Sequence, residues 1–145
     1  MSVKLAVVIL NYNGEKHLEA YIRDVIRFSK KHDVIVIDNA STDDSVGFIK
    51  KQKELLLIQN SKNHGFAGGY NAGLATIEGS YDYYLLLNSD IEVTENWIEP
   101  LLLAMADEKL AACSPKIKNI KKKDYFEHAG AAGGYLDKNY FPFCR

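Results

Sequence analysis

The chain has 145 residues, 47% of them hydrophobic and 26% charged, which suits one soluble domain with a sizeable core. Lys and Arg number 18 against 19 Asp and Glu, a formal net charge of -1, so no global field draws the chain to nucleic acid or to an anionic membrane. No apolar run is long enough to span a bilayer, the N-terminal stretch lacks a small-residue cleavage site, and Cys113 and Cys144 make no disulfide framework. These features read as a cytoplasmic protein with reduced thiols, Cys113 lying in its core.

Val3 to Leu10 is almost wholly apolar and rich in Val and Ile, the pattern of a strand buried on both faces of a parallel sheet. Asn11 to Gly14 is a polar turn, and Glu15 to Lys31 sets Leu18, Tyr21, Ile22, Val25, Ile26 and Phe28 at helical spacing. Asp33 to Asp38 is a second buried strand. Ser41 stands where it caps a helix running to Lys51, with Asp43 and Asp44 favourable near its N-terminus. Leu55 to Gln59 is a third strand, Gly65 to Ile77 a Gly/Ala-rich helix with its loop, and Tyr81 to Asn88 a fourth strand. Thr94 caps a further helix through Trp97 to Ala106, in which Pro100 kinks the early turns. Leu110 to Ile117 reads as a fifth strand, Lys121-Lys122-Lys123 as a solvated turn, and Phe126 to Tyr135, with Gly130, Gly133 and Gly134, as a loop or hairpin. Alternating strands and helices predict a three-layer α/β/α domain around a mostly parallel sheet.

Each strand is followed by small polar residues: Asn11-Tyr12-Asn13-Gly14, Asp38-Asn39-Ala40-Ser41-Thr42-Asp43, Asn60 to His64 before Gly65-Phe66-Ala67-Gly68-Gly69, and Asn88-Ser89-Asp90. In a parallel sheet all four loops meet at one edge, where the ligand crevice of such folds forms. The chemistry suits a nucleotide. Asp38 accepts a hydrogen bond from the N3–H of uracil or thymine. Tyr12 stacks on a base. Asp90 binds a divalent cation that bridges a diphosphate, since Mg2+ and Mn2+ favour oxygen ligands and Mg2+ commonly takes only one or two carboxylates. The Gly-rich stretch admits close backbone approach. Plainer readings stand beside these: Tyr12 as a loop aromatic, Asp38 and Asp90 as turn formers, Gly68 and Gly69 as packing positions, His64 as structural or exposed.

The segments VVILNYNG, VIVIDNASTDDS, NHGFAGGYNAG and LLLNSDIEV, in that order, resemble successive motifs of the family 2 glycosyltransferases over residues 3 to 117. Their flavour is similar to bacterial rhamnosyltransferase-like members that build surface polysaccharides. The resemblance implies the nucleotide-diphospho-sugar transferase fold called GT-A and an inverting, metal-dependent transfer from a UDP- or dTDP-sugar to a glycan or lipid-linked acceptor. By position it implies that Asn11, Tyr12, Asn13 and Asp38 line the nucleoside pocket and that Asn39, Ser41 and Asp43 shape it. It sets Asn71 near the donor diphosphate, Gly68 in the same motif, and Asn88-Ser89-Asp90 where the family has Asp-x-Asp. Asn88 departs from that motif, so Asp90 is the one charged ligand for Mg2+ or Mn2+, and weaker cation binding is expected.

The family's base is an acid in a later segment, often Glu-Asp, and no such pair follows residue 90. Glu127 and Asp137 lie in the right half without the motif. Residues 1–145 are therefore expected to be the donor-binding part of a longer enzyme, at the inner face of the cell membrane, with the base beyond residue 145. Such a part exposes apolar surface through which homo-oligomers form. A nicotinamide oxidoreductase is disfavoured because no Gly-x-Gly-x-x-Gly opens the first helix. A phospho-acceptor receiver is disfavoured because the acidic pair after the first strand is absent. A catalytically incomplete nucleotide-binding scaffold is the alternative that Asn88 supports.

Overall fold

The structure is a computed structural model. It describes residues 3–127, 134–136, 138–139 and 142–144. Two compact units divide it, residues 1–95 and 96–145.

The first unit holds four strands, β1 (Leu5–Asn11), β2 (Asp33–Asp38), β3 (Leu55–Gln59) and β4 (Tyr83–Leu87), all parallel, in the order β3-β2-β1-β4. Helices α1 (Glu15–Phe28), α2 (Ser45–Lys50) and α3 (Gly65–Ala75) connect them. β1 and β2 are the central strands, which is why both are almost continuously apolar and buried. Val8 pairs with Ile35 and Val7 with Val34, so alternate residues face opposite sides. Ala6, Val8, Ile35 and Ile37 pack with Tyr70 of α3 on one face. Leu5, Val7, Ile9, Val34 and Val36 point the other way and are also buried, matched by the buried Leu18, Ile22 and Val25 of α1 and Ile49 of α2. That is the expected three-layer arrangement.

The chain steps from β1 to β2 to β3 in one direction and then returns to lay β4 on the other side of β1. The order therefore reverses between β1 and β4, and sheets of this kind bind ligands outside the carboxyl ends of strands at such a reversal. Leu56 of edge strand β3 and Leu86 of β4 are each about half exposed.

In the second unit α4 is Glu99–Ala104, and β5 (Gly134–Leu136) pairs antiparallel with β6 (Pro142–Cys144). A bridge between Lys118 and Phe126 closes the basic turn.

Several expectations change. Ser41 does not cap α2, which begins at Ser45 after Asp44, because Ser41 bonds back to the β1 loop. Pro100 does not kink α4. It sits in the first turn, where its missing N–H has no intrahelical partner to lose. Leu110 to Ile117 forms no strand among the described residues. Cys113 is exposed rather than in the core. The loop or hairpin expected over Phe126 to Tyr135 falls mostly on residues 128–133, outside the described residues, as does Asp137; the antiparallel pair β5–β6 joins residues 134–136 to 142–144 and was not expected.

Candidate functional site

All four strands of the first unit run the same way, so the loops after them gather at one edge. Asp38, the last residue of β2, is buried, with 1% of its surface exposed. Its carboxylate accepts from Asn11 Nδ2 at 3.0 Å and from the Ser41 backbone N–H at 3.0 Å. Ser41 Oγ accepts in turn from Asn11 Nδ2 at 3.1 Å and from the Asn13 backbone N–H at 2.9 Å. These bonds knit the β1 loop to the β2 loop. Asn13, at φ 52°, sits in the left-handed region that Asn tolerates, and this turns its Oδ1 toward the backbone N–H groups of Thr42 at 2.7 Å and Asp43 at 3.4 Å. Ala40, in the loop after β2, also has positive φ, 63°.

Asp43 links two helix starts. One oxygen accepts from the Glu15 N–H of α1 at 3.1 Å, the other from the Ser45 N–H of α2 at 3.1 Å and from the Ser45 hydroxyl. Desolvation alone would raise its pKa, but these hydrogen bonds together outweigh it and hold the carboxyl below its ordinary value.

Asn39 is the hub on the other side. Its Nδ2 donates to Asn63 Oδ1 at 2.8 Å and to the Gly65 carbonyl at 3.1 Å. Its Oδ1 accepts from Asn60 Nδ2 at 3.0 Å and from the His64 N–H at 3.2 Å. Asn60 Nδ2 also reaches the Gly69 carbonyl at 3.1 Å. This mesh seats the start of α3 against the end of β2. A Cβ on Gly69 would lie 2.9 Å from both Asn39 Nδ2 and Leu10 Cδ1, so that position is glycine for packing. Gly68 is half-buried one residue earlier, against His64, which is exposed and precedes α3.

The predicted site residues thus fall into two groups. Asn11, Asn13, Asp38, Asn39, Ser41 and Asp43 are brought together, and their hydrogen bonds run largely to one another and to loop backbone. Tyr12, 49% exposed, and Asn71, Asn88 and Asp90, also exposed, are left facing solvent. Ser89 is half-buried, and its Oγ lies 3.9 Å from where a Gly14 side chain would begin, so the loops after β1 and β4 approach one another. Asn11 Oδ1 is buried and has no hydrogen-bond partner among the described residues. Asn71 lines a groove of about 410 Å3 between α3 and β4, with Leu74, Ala75, Glu78, Tyr84 and Leu86.

No cluster of three or more His, Cys, Asp or Glu side chains is assembled among the described residues. The donor set at Asp90 and Asn88 fits a cation that takes one carboxylate and fills its remaining positions with phosphate and water oxygens, and does not fit an all-protein cage.

Asn60, Asn63 and Tyr70 are structurally important here and were not singled out from the sequence. Two of the three carried a signal: Asn60 is the first residue after β3, and Asn63 stands two residues before Gly65, whose φ is 71°.

The family model described as Glycosyl transferase family 2 matches residues 6–142. Poly-beta-1,6-N-acetyl-D-glucosamine synthase of Staphylococcus aureus is 28% identical over 133 residues, covering 84% of this chain and 32% of that protein. The crystal structure of S. aureus TarS 1-349 in complex with UDP superposes with a TM-score of 0.59 at 25% identity, covering 72% of this chain and 32% of that one. The mannosyltransferase PcManGT of Pyrobaculum calidifontis, solved with GDP-Man and Mn2+, shares the fold at a TM-score of 0.57 and 21% identity, covering 81% of this chain and 34% of that one. The chain spans about a third of the length of the curated relatives it matches.

Proposed function

The chain belongs to glycosyl transferase family 2, and on that premise we propose that the crevice between β1 and β4 binds the nucleoside diphosphate of a sugar donor, UDP- or dTDP-linked, for an inverting transfer to an acceptor hydroxyl in glycan synthesis. One observation carries the reading. Two exposed groups of complementary chemistry stand on the loops after β1 and β4, where strand order reverses: the Tyr12 ring, beside an internally bonded frame, and the Asp90 carboxylate. Tyr12 offers a face for the base, and Asp38, which retains acceptor capacity beside its two bonds, an acceptor for the base N–H. Asn71 stands on the diphosphate side.

Asp90, with the neutral Asn88 oxygen, would hold Mg2+ or Mn2+, which supplies charge neutralisation for the departing diphosphate. In the transfer the acceptor oxygen bonds to the anomeric carbon from the face opposite the diphosphate. The carbon–oxygen bond to the diphosphate breaks with its electron pair, and the acceptor proton passes to a base. We assign that base to no residue of 1–145. In this reading these residues are the donor side of the enzyme, and the acceptor side, at the inner membrane face, lies in further sequence. Among the described residues no helix is long and apolar enough to cross a membrane. Self-association through the apolar groove at Leu86 belongs to the same reading and is measured by sedimentation. Asn88, a neutral residue at an acidic motif position, favours as second reading a nucleotide-binding scaffold without transfer.

The test is calorimetric titration of UDP and dTDP into the chain, with and without Mn2+, alongside Asp90→Ala. Mn2+-dependent binding that the variant loses is the expected result. A folded chain that binds neither nucleotide refutes the proposed pocket.

A further inference from the structure

We propose that the Tyr70 hydroxyl is a positioning group that sets the width of the split between β1 and β4 and thereby the place of the Asn88-Ser89-Asp90 loop relative to Asn11-Tyr12. The inference rests on the donor-site reading above and adds a residue to it.

The pairing of β1 with β2 continues to Asn11–Asp38, whereas that of β1 with β4 stops two residues earlier, at Ile9–Leu87. Beyond that point the ladder between the two strands has ended, and this is the mouth of the proposed crevice. Tyr70 projects from α3 toward this point. Its ring is buried, 5% exposed, in the cluster of Ala6, Val8, Ile35 and Ile37. Its hydroxyl accepts from the Leu10 backbone N–H at 3.3 Å and donates to the Leu87 carbonyl at 3.2 Å. One oxygen thus bridges the two strands where the direct ladder has ended. Burial raises its pKa above the ordinary tyrosine value, so the bridge keeps its proton at neutral pH.

The bridge has a direction. Leu10 precedes Asn11 and Tyr12, the base end of the proposed site. Leu87 precedes Asn88 and Asp90, the cation end. The base end is also tied to β2 through Asn11, Asp38 and Ser41, and keeps its frame without Tyr70. At the root of the β4 loop, the hydrogen bond to the Leu87 carbonyl comes from Tyr70. Loss of the hydroxyl therefore moves the cation end against a fixed base end.

Tyr70→Phe keeps the ring and removes the bridge. Two readouts test it in the intact chain. Amide hydrogen exchange at Leu10, whose N–H loses its acceptor, is expected to speed up at least tenfold, with β2 and α1 unchanged. The gain in UDP affinity produced by Mn2+ is expected to fall about tenfold, with Mn2+-free UDP affinity unchanged, and Tyr70→Phe adds no further loss once Asp90→Asn is present. A uniform loss of affinity with and without Mn2+, or unchanged exchange at Leu10, overturns the proposal. Failure of the wild-type chain to bind UDP sinks the donor-site reading instead, and the exchange data then decide the Tyr70 bridge by themselves.

Discussion

Asn39→Asp is an isosteric change at the hub of the loop mesh, and its cost follows from the four bonds Asn39 makes. The carboxamide NH2 donates to Asn63 Oδ1 at 2.8 Å and to the Gly65 carbonyl at 3.1 Å. A carboxylate oxygen there faces two acceptors and bonds neither. Each lost bond is worth about 1 kcal/mol net, and the site, 2% exposed, also disfavours the new charge. A carboxyl raised by about 1–2 pK units adds about 1.4–2.7 kcal/mol at neutral pH. The sum is about 3–5 kcal/mol at pH 7. The sign of its pH dependence is set. The folded-state pKa lies above the unfolded value, so the stability of the protonated form is present below the unfolded pKa and is lost as pH rises through the folded one. The variant therefore recovers part of its deficit on acidification from pH 7 to about 5, where a protonated carboxyl again donates one of the two bonds. Urea denaturation of both proteins at the two pH values measures this. A deficit below about 1 kcal/mol, or one independent of pH, refutes the claim that Asn39 is a buried donor whose partners are only acceptors.

Gly73→Ala places a methyl 2.6 and 2.7 Å from Ile37 Cγ2 and Cγ1 in the α3 face of the core. At so close an approach the overpacking costs about 2–3 kcal/mol, the upper part of its usual range, and outweighs the better helix propensity of Ala, about 1 kcal/mol, so a net loss of about 1–2 kcal/mol in urea is expected. Tyr81 donates to Asp33 Oδ2 at 2.7 Å, and burial together with that bond raises its pKa to about 12. Unfolded, the phenol ionises near 10, so between pH 10 and about 12 the folded state holds the extra proton and stability falls as pH rises. Tyr81→Phe should flatten the melting temperature across that window, and an unchanged slope would show that the bond contributes nothing.

The strands were legible because their residues are nearly all apolar over five to seven positions, a pattern that a central parallel strand requires and a surface helix does not show. The segment from Leu110 to Ile117 carries apolar residues too, yet it makes no strand among the described residues. Residue pattern reports the capacity to pair, and pairing also needs a neighbour in register. Boundaries failed where a side chain had a better partner than its own helix: Ser41 is a good cap by type, but Asn11 and Asn13 claim its hydroxyl.

The same competition explains why site residues could be located but not assigned roles. Asn13, Asp43 and Asn39 look like ligand groups in a sequence because they are polar and follow strands. The structure gives each two or more hydrogen bonds to neighbouring loops, so they build the walls. A loop that holds a mobile diphosphate needs such a frame, since an unsupported polar loop would lose its ordering entropy on every binding event. What stays outside the frame, Tyr12 and Asp90, is then available to the ligand. On that division, alanine at a frame residue lowers stability along with affinity, while alanine at Tyr12 or Asp90 lowers affinity with folding intact. The contrast separates a working pocket from a set of turn-forming residues.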